Sequence, residues 1–250
     1  VTPTPDRDSG SIDMYNLIRI LIYLGFRVHF IPSSNFAHGH EYTEKLQKMG
    51  VECVFYPFYQ DIKGFLREKG DLFDIVFAVR VKVAKNILPF IKIYCPSTKV
   101  IFYTVDLHFL RALRHAELTG NKRDAIVAEE TRISELAAID NSDLTIVLSE
   151  TENLMLTQLG KKNIEVVPLI RDFVEPEKIP FDQRNDVLFI GGYEHQPNVD
   201  AVTFLVKEIW PALRSLCSKI GAPPIKLHIY GSKMPSYFHD FACPDIEIHG

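Results

Sequence analysis

The chain has 250 residues, 46% of them apolar, which is enough for one large domain or two smaller ones with a substantial core and excludes a disordered protein. Its 28 basic and 32 acidic residues leave a formal net charge of −4, which argues against a general nucleic-acid binder. Cys53, Cys95, Cys217 and Cys243 form no CxxC pair and read as reduced thiols of a cytosolic protein; no signal peptide is expected, and no apolar run is long enough for a spanning helix.

Residues 1–10 form a Pro/Asp/Gly loop. Gly10-Ser11 then opens a helix in which Met14, Leu17, Ile18, Leu21 and Leu24 recur at helical spacing, with Gly25 as its stop. A strand is predicted at 27–31, a helix at 42–49 closed by Gly50, a strand at 51–56, a short helix at 62–69 and a strand at 75–78. Residues 81–94 read as a helix that Pro89 bends or breaks. Strands at 100–104, 144–148 and 164–167 and helices at 125–139 and 151–159 complete the series. Strands alternating with helices predict a parallel sheet wound by right-handed crossovers.

Residues 168–185 break the rhythm. Pro168, Pro176 and Pro180 stand among charges with no apolar period, as in an interdomain linker. The rhythm restarts with a strand at 187–190, a helix at 198–216 and strands at 226–230 and 246–249. The predicted fold class is therefore α/β, with two Rossmann-like parallel-sheet domains at 1–167 and 186–250, the second holding about half the strands such a sheet needs. The opening loop has neither a preceding strand nor an initiator Met, and the chain stops just after a strand, so a piece of a longer protein is expected.

The most informative stretch runs from Asp186 to Asp200. A short apolar strand, 187–190, meets Gly191-Gly192, then a polar turn, then Pro197-Asn198 and a helix carrying Val199, Val202, Val206, Ile209 and Leu213. Strand, glycine turn and helix N-terminus in succession suit a phosphate, because glycine admits close backbone approach and free N–H groups favour an anion. The spacing is neither GxGxxG nor a P-loop, and a tight turn without a ligand is the alternative.

The run Phe-Ile-Gly-Gly-x-x-His-x-Pro-Asn-x-Asp-Ala, followed by a helix ending Glu-Ile-Trp-Pro, resembles the start of the donor domain in retaining glycosyltransferases of family 4. Upstream, Thr104-Val-Asp-Leu-His108-Phe-Leu-Arg111, Arg132-x-x-Glu135 and 143–152 resemble the later part of their acceptor domain. The resemblance implies the two-domain GT-B architecture and transfer of a sugar, with retention, from a nucleotide-diphospho-sugar to a sugar or glycoconjugate acceptor. It also implies a role in polysaccharide biosynthesis at the cytoplasmic side of the membrane. No cofactor and no bound metal are expected, helix dipoles and cationic side chains stabilising the leaving diphosphate instead. The nine histidines likewise show no HxxxH spacing.

In a parallel α/β sheet, ligands bind beyond the carboxyl ends of the strands, and Gly10, Asp106, Gly191 and Gly231 are predicted there, around a cleft between the domains. By resemblance Gly10 and Ser11 line the acceptor; otherwise Ser11 caps the helix. Asp106 and His108 orient a sugar hydroxyl or order their loop. Arg111 meets an anionic group or is solvated, and Arg114 is solvated. Glu135 with Arg132 at i−3 is ordinarily a surface pair, and only the resemblance gives Glu135 a substrate role. Ser149 fits a helix cap. His195 donates to a diphosphate oxygen, Asn198 caps the donor helix, Gly231-Ser232 approaches the nucleoside and Gly250 the base.

Arg80, Lys82, Lys85 and Lys92 read as the basic outer edge of a sheet-covering helix, with a weak membrane-surface patch as the alternative. A GT-B-fold sugar-nucleotide epimerase and a non-catalytic glycan- or nucleotide-binding module are the competing functions. In the resembled family an acidic pair and a basic side chain that grip the donor would fall past Gly250, so residues 1–250 alone are expected not to transfer sugar.

Overall fold

The computed structural model describes residues 1–175 and 178–250, so the expectation for Pro176 lies outside the described residues. The described chain divides into two compact units, Val1–Phe173 and Val174–Gly250.

The first unit opens with α1 (Ser9–Tyr23). Its cap is Asp8, not Ser11: the Asp8 carboxylate accepts the Ser11 amide at 2.8 Å and the Ser11 hydroxyl at 2.5 Å. An acceptor-only carboxylate at the extended residue before the helix satisfies a free donor of the first turn, and Ser11 already lies inside that turn. β1 (His29–Phe30) and β2 (Glu52–Cys53) pair in parallel as a separate two-stranded sheet, with α2 (Glu41–Lys48) between them in sequence. The predicted strands 27–31 and 51–56 thus shrink to two residues each. Each has one hydrogen-bonded neighbour, and the buried Val51, Val54 and Phe55 hold their segment by packing outside the ladder.

α3 (Ile62–Lys69) is capped by Asp61, which accepts the Gly64 amide at 2.6 Å. β3 (Ile75–Val79), β4 (Lys99–Tyr103), β5 (Leu144–Val147) and β6 (Ile164–Val166) form a four-stranded parallel sheet in sequential order. α4 (Val81–Tyr94) runs through Pro89 as one helix, without the break that is one of the two expectations. Lys85, whose carbonyl Pro89 cannot bond, and Pro89 itself both lie on the exposed side, where water replaces the lost partner, while Val81, Ala84, Leu88 and Ile91 stay in the core. That burial also makes α4 a sheet-covering helix with exposed Lys82, Lys85 and Lys92, and withholds its apolar face from a lipid surface. α5 (His108–Thr119) packs on α6 (Lys122–Asp140), and α7 (Glu150–Gln158) starts at Ser149, whose hydroxyl accepts the Glu152 amide as expected. The core gathers Ala78, Phe102 and Val147 from one face of the sheet with Ala84 of α4 and Leu156 of α7, and Val54 from beside β2 joins it.

The expected linker begins later than 168. Asp13, buried on α1, accepts the Ile170 amide at 2.7 Å and the Tyr103 hydroxyl; Asn16 donates to the Ile170 carbonyl at 3.1 Å, and Arg19 pairs with Asp172 at 2.9 Å. Residues 168–173 are therefore tied into the first unit.

The second unit is a three-stranded parallel sheet of β7 (Val187–Ile190), β8 (Leu227–Tyr230) and β9 (Ile246–His249). α8 (Gln196–Phe204) passes through a π turn at Leu205–Ile209 into α9 (Trp210–Ile220), longer at both ends than the helix predicted at 198–216. Pro211 has no N–H for the ladder, and the ladder widens just before it, the Trp210 amide reaching the Leu205 carbonyl. One sheet face, with Val187, Phe189, Leu227, Ile229 and Ile246, packs on Val199, Val202, Trp210 and Phe238. The other is open: Leu188 is 63% and Ile190 75% exposed. Among the described residues no helix is long and apolar enough to cross a membrane.

Candidate functional site

In the first unit the carboxyl ends of the adjacent strands β3 and β4 each run into a residue with positive φ, Arg80 at 70° and Val105 at 66°. Side chains with a Cβ, and β-branched ones above all, avoid this region, so both turns are held by their surroundings. The Arg80 amide is anchored on the Tyr103 carbonyl at 2.8 Å. Three residues past Val105, α5 begins.

Asp106 holds two partners. Its Oδ1 lies 3.1 Å from His108 Nε2, and its Oδ2 is 2.8 Å from Arg111 Nη1. Burial keeps the His108 imidazole below its ordinary pKa; Asp106 opposes that, and Arg111 and Arg80 reinforce it. With its hydrogen on Nε2, the nitrogen beside Asp106, a neutral His108 has Nδ1 as a lone pair able to accept a hydroxyl proton or hydrogen bond. Arg111 pairs with Asp106, and its side chain is 51% exposed. Arg114 is exposed, as expected.

Glu135 is fully buried in α6 and does not pair with Arg132, which bonds Glu129 at 3.1 Å. The Glu135 carboxylate instead accepts the amides of His108 at 3.2 Å and Phe109 at 2.8 Å. It closes the α5 N-terminus in place of the missing side-chain cap at Leu107, and so fixes where His108 stands. Burial pushes its pKa up to about 7 despite the two N–H bonds. Glu152 supports the same loop, accepting the Leu107 amide at 3.3 Å and the Leu148 amide at 3.0 Å.

Gly10 also joins this region. A Cβ there would stand 2.9 Å from Arg80 Nη2, so glycine lets the guanidinium lie over the start of α1. Gly10 and Arg80 are thus neighbours, Asp106, His108, Arg111 and Glu135 form a second linked group, and the Arg80 charge is felt at His108, while Ser11 is occupied with Asp8. Sequence reasoning missed Arg80 by grouping it with the lysines of α4; its position directly after the apolar run 75–79 was the available signal.

In the second unit the turn after β7 is tightly bonded to itself. The amides of Gly191, Tyr193, His195 and Asn198 reach the carbonyls of Tyr230, Ser232, Gly192 and His195, and Pro197 has none to offer. The amides of Gly192, Glu194 and Gln196 are what remains of the expected cradle. Asn198 does not cap α8: it is the helix's third residue, and its side-chain amide turns back to the Gly192 carbonyl at 2.9 Å. His195 occupies the cap position with an exposed ring that makes no capping bond.

The glycines here differ in kind. A Cβ on Gly231, which has φ 157°, would be 1.9 Å from the Gly191 carbonyl oxygen, so Gly231 lets the ends of β7 and β8 meet. A Cβ on Gly191 would press on Asn198 at 3.0 Å. At Gly192 the nearest atom would be Ser232 Oγ, 3.9 Å away, so that position is open. Gly250 directly follows β9 at the same sheet end.

Fold and sites define an α/β protein with parallel sheets and polar clusters beyond the strand ends. The chain matches no protein-family model and no curated protein.

Proposed function

We propose that the chain supplies the acceptor side and part of the donor side of a retaining sugar transferase of the two-Rossmann GT-B type, which moves a sugar from a nucleotide-diphospho-sugar to a sugar or glycoconjugate acceptor. The observation that carries this reading is the convergence of Arg80, Asp106 and His108 beyond β3 and β4, with buried Glu135 locking the loop from behind. Ligands of parallel α/β sheets bind at such strand ends. In this reading His108 Nδ1, with Nε2 held by Asp106, meets a sugar hydroxyl, and Arg80 answers developing negative charge. The turn 191–198 takes the nucleoside diphosphate on its remaining amides, over the open Gly192. The resemblance of both regions to family 4 glycosyltransferases supports the same assignment.

Supplying UDP-, GDP- and ADP-sugars with a panel of glycan acceptors, to a protein that joins residues 1–250 to the acidic pair and basic side chain expected past Gly250, tests it. Donor consumption that requires an acceptor agrees with a transferase; donor converted without acceptor indicates an epimerase, and nucleotide or glycan bound without turnover indicates a binding module.

A further inference from the structure

On the open face of the second unit's sheet, His228, Glu247 and His249 form the one group of three His, Cys, Asp or Glu residues, among the described residues, whose ligand atoms all lie within 4.8 Å of one another. We propose that these three side chains are a binding site for a divalent transition ion of the zinc class, with a fourth position open to water.

The spacing suits that ion. His228 Nδ1 is 3.2 Å from His249 Nε2, His228 Nδ1 is 3.3 Å from Glu247 Oε2, and His249 Nε2 is 3.6 Å from the same oxygen. Nitrogen and oxygen ligands about 2.0–2.1 Å from a tetrahedral ion stand about 3.3–3.4 Å apart, so the three atoms approximate one face of that tetrahedron. Two imidazoles, a carboxylate and an open position form an established zinc donor set.

The surrounding groups orient each ligand. Asp186 Oδ2 lies 3.3 Å from His228 Nε2, and a carboxylate only accepts, so Nε2 carries a hydrogen and Nδ1 is the ring atom left to face Glu247 as a ligand. Asp186 is itself fixed, its Oδ1 accepting the Lys226 amide at 2.7 Å. Lys226 Nζ takes Glu247 Oε1 at 2.6 Å, leaving Oε2 to face the histidines. Tyr230 stacks on the His249 ring with centroids 4.2 Å apart and planes 6° apart. With His228 neutral, Nδ1 and Oε2 are two acceptors facing each other. A cation between them resolves the conflict; the competing occupant is a proton on His228.

The site needs strand register. His228 lies opposite Glu247 across β8 and β9, and His249 lies opposite Tyr230, two residues on. Period-2 alternation then puts all of them on one face.

The test is a zinc titration of the whole chain by competition with a chromophoric chelator, repeated with cobalt to read the ligand-field spectrum. One zinc per chain and a tetrahedral cobalt spectrum are expected. His249→Ala and Glu247→Gln should abolish both, and Asp186→Asn should lower affinity by about 10–100-fold, as lost outer-shell partners do. Cys243→Ser, which removes the exposed thiol near this sheet end, should leave binding unchanged. No zinc bound by the wild type, binding that survives His249→Ala, or binding lost with Cys243→Ser would each overturn the site. Because His249 stands at the end of the edge strand β9, matched melting curves identify any variant lost to misfolding. In that event, shifts of the His228 and His249 ring protons of the wild type on zinc addition decide the question.

Discussion

Glu135 and Phe109 meet through a single buried hydrogen bond, the Phe109 amide donating to the Glu135 carboxylate at 2.8 Å, and this bond ties the middle of α6 to the first turn of α5. The Glu135→Ala variant leaves the amides of His108 and Phe109 without a partner, at about 1–3 kcal/mol for each buried donor. Glu135→Gln keeps an acceptor and should cost less. Chemical denaturation of both variants checks the order.

The same residue sets a pH dependence. Its pKa rises in the folded state from an ordinary 4.5 to about 7, mainly through burial. A raised folded pKa means the folded state binds the proton more tightly, so this contribution to stability is full below about 4.5 and declines as pH rises toward about 7. Burial of His108 acts with the opposite sign: its folded pKa is lowered from 6.5, and stability is lost as pH falls through that range. Glu135→Gln should remove the decline and leave the His108 slope, visible as melting temperature measured from pH 4 to 8.

Asp13 is expected to act as a clasp. It bonds the Ile170 amide and the Tyr103 hydroxyl from inside the first unit. The Asp13→Ala variant should free residues 168–173 and speed their cleavage by a nonspecific protease, whereas an unchanged digestion pattern would assign the attachment to Arg19 and Asp172.

Gly231→Ala and Gly192→Ala should separate cleanly. The first forces a Cβ onto the Gly191 carbonyl at a left-handed φ and should destabilise by at least about 1–3 kcal/mol. The second meets only Ser232 Oγ at 3.9 Å and should stay within about 0.5 kcal/mol. Paired thermal melts decide it.

Local signals explain what could be read in advance. α3 follows from Asp61 before an apolar period and Gly70 after it, and β7 from four apolar residues before two glycines. Asp106 and His108 could be paired from the sequence because they are two residues apart beyond a strand. The failures all needed partners distant in sequence. β1 and β2 pair only with each other, apart from the four-stranded sheet; Glu135 finds α5 instead of Arg132; Arg80 reaches Gly10 across 70 positions of chain. His228, Glu247 and His249 share no helical spacing and meet only through the register of β8 with β9.

The central claim, a nucleotide-sugar transferase, is tested most directly by calorimetric titration of a nucleoside diphosphate into the wild type and Gly192→Val. A Cβ at Gly192 meets only Ser232 Oγ at 3.9 Å, so this variant fills the place assigned to the diphosphate, and its melting temperature reports whether the fold is kept. Saturable binding by the wild type, weakened at least about tenfold in Gly192→Val (about 1.4 kcal/mol) at an unchanged melting temperature, is the predicted result. Absence of binding to UDP, GDP and ADP alike, or equal affinity in wild type and variant, would contradict it.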